Sequence, residues 1–110
     1  MERYRIIVTP DAAADLIELR SYIANVLMAP GTALKYIRLI RKEIATLEIL
    51  PSRIAPVDEE PWYSRGIRHL IVKNFYVYYR IDETAKTVFI LNVVYNRRDQ
   101  LKVLSQMPIE

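Results

Sequence analysis

The spacing of apolar residues changes period twice along the chain. Arg3-Tyr4-Arg5-Ile6-Ile7-Val8 is a short β-rich run closed by Thr9-Pro10, which predicts a first strand. Leu16, Leu19, Ile23 and Val26 then recur three and four residues apart, the helical period, and predict a helix from about 10 to 27. Thr9 can cap it, Pro10 suits its first position, and Asp11 puts an anion where the helix dipole favours one. Met28 to Gly31 breaks the pattern. Ala33, Ile37, Ile40, Ile44 and Leu47 form a second apolar stripe, with Lys35, Arg38, Arg41 and Lys42 mostly off it, predicting a helix from about 30 to 49. Two long helices joined by a short break make a hairpin whose stripes can face one sheet.

Pro51 ends the second helix. Ser52 to Tyr63, with Pro56, Asp58-Glu59-Glu60 and Pro61-Trp62, is too polar and proline-rich for a core element and reads as a long loop with Trp62 exposed. Strand signals then follow closely at Ile67 to Lys73, Phe75 to Ile81 and Lys86 to Tyr95. Lys73-Asn74 and Asp82-Glu83-Thr84-Ala85 supply the turns between them. Leu101 to Glu110, with Pro108, reads as a frayed tail or a short helix. No repeat, linker or low-complexity segment interrupts the order. The expectation is one α+β domain over 1–110: a two-helix hairpin packed on a small, mostly antiparallel four-stranded sheet, in the order β-α-α-β-β-β.

Composition removes several classes of function. The 110 residues suffice for one domain and are too few for two. There is no cysteine and one histidine, His69, so thiolate chemistry, disulfides and a multi-histidine metal cluster are excluded. Gly31 and Gly66 are the only glycines, which excludes a glycine-rich phosphate loop. No run approaches the length of a membrane span, and Met1 to Pro10 lacks the apolar core of a signal peptide. A cytoplasmic protein with no membrane partner, metal or cofactor is expected. Asp58-Glu59-Glu60 reads as a solvated turn before it reads as a metal site, and His69 as a strand histidine paired with a neighbour.

Charge distribution adds what the net charge of +3 does not. From Arg65 to Lys102 the basic residues are 65, 68, 73, 80, 86, 97, 98 and 102, against acids at 82, 83 and 99. That positive field would draw phosphates or an acidic protein, although strand edges also carry Lys and Arg for solubility alone. Side chains alternate across a sheet, so Tyr76, Tyr78 and Arg80 share one face, while Val77, Tyr79 and Ile81 share the other. Helices cover one face only; the second is expected to meet solvent or a partner. Guanidinium groups can contact phosphates and tyrosine rings can stack on bases, so an Arg/Tyr face suits RNA.

The order of these elements and their motifs resembles the RelE/ParE toxin superfamily over nearly the whole chain. The shared pieces are Tyr4-Arg5-Ile6-Ile7-Val8-Thr9-Pro10 followed by Ala12 to Leu16, and Leu47-Glu48-Ile49-Leu50-Pro51 at the exit of the second helix. Ser64-Arg65-Gly66-Ile67-Arg68-His69-Leu70, Tyr78-Tyr79-Arg80-Ile81-Asp82 and Val93-Val94-Tyr95-Asn96-Arg97-Arg98-Asp99 follow. The resemblance implies the toxin of a type II toxin–antitoxin system, associated with plasmid stabilisation and growth inhibition. It would be bound by a cognate antitoxin protein in a hetero-oligomer.

Two activities occur in the superfamily. RelE-like members are mRNA interferases, endoribonucleases that cut messenger RNA in the ribosome without a metal; ParE-like members are not enzymes and block DNA gyrase. For the first, the resemblance implies Arg97, Arg98 and Arg68 as contacts to the reacting phosphate, with Tyr95 or Tyr76 moving protons. Arg65, Lys73, Arg80 and Tyr78 would bind RNA or another target. The chain departs from that pattern in two places. Tyr76 stands where the third strand usually carries a catalytic arginine, and no tyrosine follows the Arg97-Arg98 pair. The ribosome-dependent nuclease is the first expectation, the gyrase inhibitor the second, and a decayed toxin that only binds its antitoxin the third.

Overall fold

The computed structural model describes residues 2–94. Over that range it contains β1 (Arg5–Val8), α1 (Pro10–Ser21), α2 (Pro30–Ala45), β2 (Arg68–Val72), β3 (Phe75–Asp82) and β4 (Thr87–Val94), the expected order. The sheet runs β1-β4-β3-β2. β2, β3 and β4 form an antiparallel meander. β4 runs in the same direction as β1, so β1 joins the free side of β4 as a parallel strand. The expected tail from Leu101 to Glu110 lies outside the described residues, as does Tyr95, the expected last residue of the fourth strand.

Thr9 and Pro10 start α1 as their chemistry suggests. The Thr9 hydroxyl accepts the Ala12 N–H at 3.3 Å and donates to the Ile90 carbonyl at 2.7 Å, so one side chain caps the helix and pins it to β4. Ala12, Leu16, Leu19 and Ile23 are buried, but Val26 is 63% exposed, against expectation. The cause is local: Tyr22–Val26 forms a π-helical turn, in which the Leu27 N–H reaches back to the Tyr22 carbonyl at 3.1 Å. A wider turn shifts the phase of the helix and rotates Val26 off the buried stripe.

In α2 the stripe is as expected, with Ala33, Ile37, Ile40, Ile44 and Leu47 all buried. Leu47 belongs to a 3₁₀ turn, Thr46–Glu48, which replaces the last helical turn of the expected 30–49 span. Leu50 takes a left-handed backbone (φ 50°) and Pro51 follows, so the helix cannot continue. The Arg53 guanidinium then donates to the carbonyls of Ile49 (2.9 Å) and Leu50 (3.1 Å), satisfying acceptors left open just past the helix end.

The two helices and one sheet face enclose the main core, which includes Ile40, Leu47, Val77, Tyr79, Val88 and Ile90. The second sheet face is not open, and here the structure corrects the sequence reading. Phe75 through Tyr79 are all buried, so β3 has no solvent side along most of its length. The segment that reads as a loop lies across that face. Its Val57 and Ile67 join Tyr76, Tyr78 and Val94 in a second apolar cluster, with Trp62 and Leu91 packed against it. Trp62 is therefore half-buried, an anchor of the loop and not an exposed ring. Burying a large apolar side chain contributes about 1.5–3 kcal/mol, reason enough for a proline-rich segment to fold down onto the two tyrosine rings.

Candidate functional site

The covered face of the sheet holds two of the expected site residues, Tyr76 and Tyr78, beneath the 54–67 segment. The segment from 54 to 67 is held on it by backbone and side-chain bonds. Pro56 bridges to Arg68 at the β2 edge, and the Val57 N–H donates to the Ile67 carbonyl at 2.8 Å. Glu60 accepts from the Ser64 N–H (2.9 Å) and hydroxyl (2.6 Å); these bonds hold its carboxyl below the usual range. Gly66, at φ 72°, closes the segment in a conformation glycine adopts without strain.

Arg68, expected to contact a reacting phosphate, has a structural task. Its guanidinium donates to the Ile54 carbonyl and, at 3.4 Å, to the Ser52 carbonyl, tying the start of the loop to β2. Tyr76 and Tyr78 lie under the loop, with Tyr78 wholly buried. Neither ring is available for stacking on a base, and burial raises the pKa of the Tyr78 hydroxyl, away from proton transfer near neutral pH. The His69 ring packs against both, 5.3 Å from Tyr76 and 5.8 Å from Tyr78 between centroids, the neighbour pairing expected of it. Arg80 stacks its guanidinium 4.4 Å above the Phe89 ring and stays half-buried. Arg65 and Lys73 are exposed, but they lie at the end of the loop and at the β2–β3 turn respectively. Arg97, Arg98 and Tyr95 lie outside the described residues. The structure thus gathers His69, Tyr76 and Tyr78, with Arg68 at the same edge, and leaves Arg65 and Lys73 apart.

The loop does not seal the face completely. A cleft of about 400 Å³ remains, lined by Ile54 to Glu59, His69 and Tyr78. Asp58 and Glu59 are exposed in its wall. No group of three or more metal-ligating residues is found among the described residues. No helix there is long and apolar enough to cross a membrane.

Sequence reasoning missed two features. One is this cleft, which depends on how the loop folds. The other is Asp15, on the sheet-facing side of α1, whose carboxylate accepts the Val93 N–H at 2.9 Å and the Asn92 side-chain amide at 3.1 Å. Its signal was a lone acid one residue before Leu16 of the buried stripe, a place where a carboxylate needs a partner.

Residues 6–100 match the family model described as the ParE toxin of type II toxin–antitoxin systems, parDE. The chain belongs to this family. The ParE fold is also evident among solved structures. The chromosomal ParDE toxin–antitoxin system from P. aeruginosa is 26% identical, with a TM-score of 0.70 over 86% of this chain and 98% of that one. The toxin–antitoxin complex RelBE2 from Mycobacterium tuberculosis is 24% identical, with a TM-score of 0.59 over 87% of this chain and 94% of the other. An arginine-to-alanine double mutant of the E. coli toxin RelE in the free state is 14% identical, with a TM-score of 0.64 over 96% and 94%. No curated protein matches at a significant level. The latter two structures share the fold with this ParE toxin, and the wider RelE/ParE superfamily is the one its motifs resemble.

Proposed function

We propose that this toxin acts in the ParE manner, arresting growth by binding a protein target of the DNA gyrase kind and not by cutting messenger RNA. The observation that carries the reading is the match of residues 6–100 to the ParE model. The covered face supports it. A nuclease of the expected type would use Tyr76 or Tyr95 with Arg68, Arg97 and Arg98; of these, Tyr76 is packed beneath the loop and Arg68 is engaged with backbone carbonyls. A binding toxin has no need of a free general base. It needs a rigid surface, which the sheet and its pinned loop provide. The partner that silences it is a co-expressed antitoxin, a reading supported by likeness to a chain from a ParDE toxin–antitoxin system.

Brief induction of the full chain without antitoxin tests this. Relaxed plasmid DNA and a DNA-damage response, with translated messages intact by primer extension, is the expected result. Cuts within translated messages, abolished by Arg97→Ala/Arg98→Ala, would overturn it in favour of the ribosome-dependent nuclease. Normal growth at every expression level would leave a protein that only binds its antitoxin.

A further inference from the structure

We propose that the cleft between the 54–59 segment and β2–β3 binds the guanidinium of an arginine side chain. Its charged wall has one sign: Asp58 and Glu59 line it, and among the described residues no Lys or Arg does, in a chain whose net charge is +3. Neither carboxylate has a hydrogen-bond or ion-pair partner among the described residues. The adjacent Glu60, by contrast, is fully engaged with Ser64. A carboxylate pair left unpaired beside a cavity attracts a cation, and the low-dielectric walls of a cleft strengthen that attraction.

A second and independent feature lies at the same cleft. The Tyr78 side chain forms part of the cleft wall, yet its hydroxyl is buried without any hydrogen-bond partner. Leaving such a group unpaired is costly, and native proteins seldom do so without a reason. Glu59 and Tyr78 line the same cleft, which brings a free carboxylate and an unpaired phenol to one site. An N–H donor bound there would give the phenol oxygen the hydrogen bond it lacks.

The remaining lining discriminates among cations. Ile54, Ala55, Pro56 and Val57 offer an apolar wall for a methylene stem, and the half-buried His69 ring offers aromatic surface for a flat head. A guanidinium is planar, stacks on aromatic faces and bonds carboxylates in pairs; an ammonium is a compact, strongly hydrated charge that does neither as well. The volume of about 400 Å³ falls in the range of small-ligand sites, about 300–1,000 Å³. The site is separate from the choice between gyrase and messenger RNA as the toxin's target.

Amide shifts of the full chain, titrated with Nα-acetyl-arginine methylamide, test the proposal. The expected result is saturable shifts at Val57, His69 and Tyr78. The uncharged citrulline analogue should have no effect, and the lysine analogue should bind more weakly. Asp58→Asn/Glu59→Gln, which alters only exposed side chains, should weaken binding by about tenfold or more, a difference of about 1.4 kcal/mol. Tyr78→Phe should weaken it less while keeping the fold. A peptide bearing the same arginine that binds about tenfold tighter than the capped amino acid would assign the side chain to a polypeptide partner. Equal affinity would assign it to a free guanidinium compound. Absent shifts at these three residues, equal binding of citrulline, or an unchanged affinity in the double variant would each overturn the proposal.

Discussion

The carboxylate of Asp15, on α1, accepts the backbone N–H of Val93 on β4 at 2.9 Å. The need for it arises from a bulge. Tyr78 pairs with Asn92 and Tyr79 with Ile90, so Leu91 has no opposite residue and β4 bends there. β1 pairs with β4 only as far as Ile90. Beyond that point β4 has no strand on its outer side among the described residues, and a helix side chain supplies an acceptor. Together with the Thr9 bond to Ile90, this fastens the first half of α1 along the end of the sheet.

Asp15 should make stability depend on pH in an unusual direction. Burial raises its pKa, and the bonds from Val93 and Asn92 offset that only in part. The folded carboxyl thus holds its proton at higher pH than the unfolded chain does, whose value is about 4. Between those values the native state binds more protons, so the contribution of Asp15 to stability falls as pH rises through the window and is regained on acidification. Asp15→Asn keeps an oxygen for the Val93 N–H and removes the titration. The difference in urea midpoint between wild type and Asp15→Asn should shift toward wild type as pH is lowered from 7 towards 5. Asp15→Ala, which orphans a buried N–H, should cost about 1–3 kcal/mol at either pH.

The adjacent tyrosines of β3 should respond oppositely to the same deletion. The Tyr79 hydroxyl donates to the Pro51 carbonyl at 2.7 Å in the main core. That of Tyr78, on the other face, has no partner. Tyr79→Phe should lower stability by about 1–2 kcal/mol, because it removes a buried bond and leaves a carbonyl unpaired. Tyr78→Phe removes an unsatisfied group and should leave stability unchanged or slightly raised. Denaturant unfolding of the two variants side by side checks the contrast, and equal losses would contradict it.

The helices and strands were legible because each stripe has one period and one neighbour to pack on. The stripe of Ala33, Ile37, Ile40, Ile44 and Leu47 is buried as its spacing says, and the β2–β3 and β3–β4 turns fall where Lys73-Asn74 and Asp82 to Ala85 place them. Val26 was misread because a π turn changes phase without changing composition. The second sheet face was misread for a deeper reason. Alternation correctly put Tyr76 and Tyr78 on the side away from the helices, but tyrosine suits an open face and a covered one equally. What decides between them is the 54–67 segment, whose prolines and acids disguise the few apolar residues, Val57, Trp62 and Ile67, that fold it down. The cleft inherits that difficulty, since its walls belong to elements far apart in sequence.

Lys73 adopts a left-handed backbone, φ 56°, in the two-residue turn that joins Val72 to Phe75. A side chain there crowds the following carbonyl, a strain that glycine escapes. The Lys73 side chain is exposed, so nothing packed is lost by removing it. Lys73→Gly should therefore raise stability by up to about 1 kcal/mol, the relief being partly offset by the freer unfolded chain. If Lys73 also contacts the toxin's target, the same variant will lose growth arrest while gaining thermal stability. A fall in both would show that the turn depends on the lysine.

Arg68 separates the two accounts of this toxin most sharply. In the nuclease reading its charge meets a phosphate; in the structure its guanidinium holds the Ser52 and Ile54 carbonyls and keeps the loop on β2. Arg68→Ala should cost about 1–3 kcal/mol, because charge-assisted bonds are lost and carbonyls at the loop's root are left open. It should also speed proteolysis within 54–67, since the segment's attachment weakens first. In Arg68 one terminal nitrogen serves both carbonyls; Arg68→Lys keeps the charge but carries its donor on a shorter stem, so it should fall between wild type and Ala in protease resistance. Growth arrest should then follow the protease resistance of the loop across wild type, Lys and Ala. Arrest that follows charge instead, full for Lys and absent for Ala with equal protease resistance, would return Arg68 to the chemistry of a phosphate.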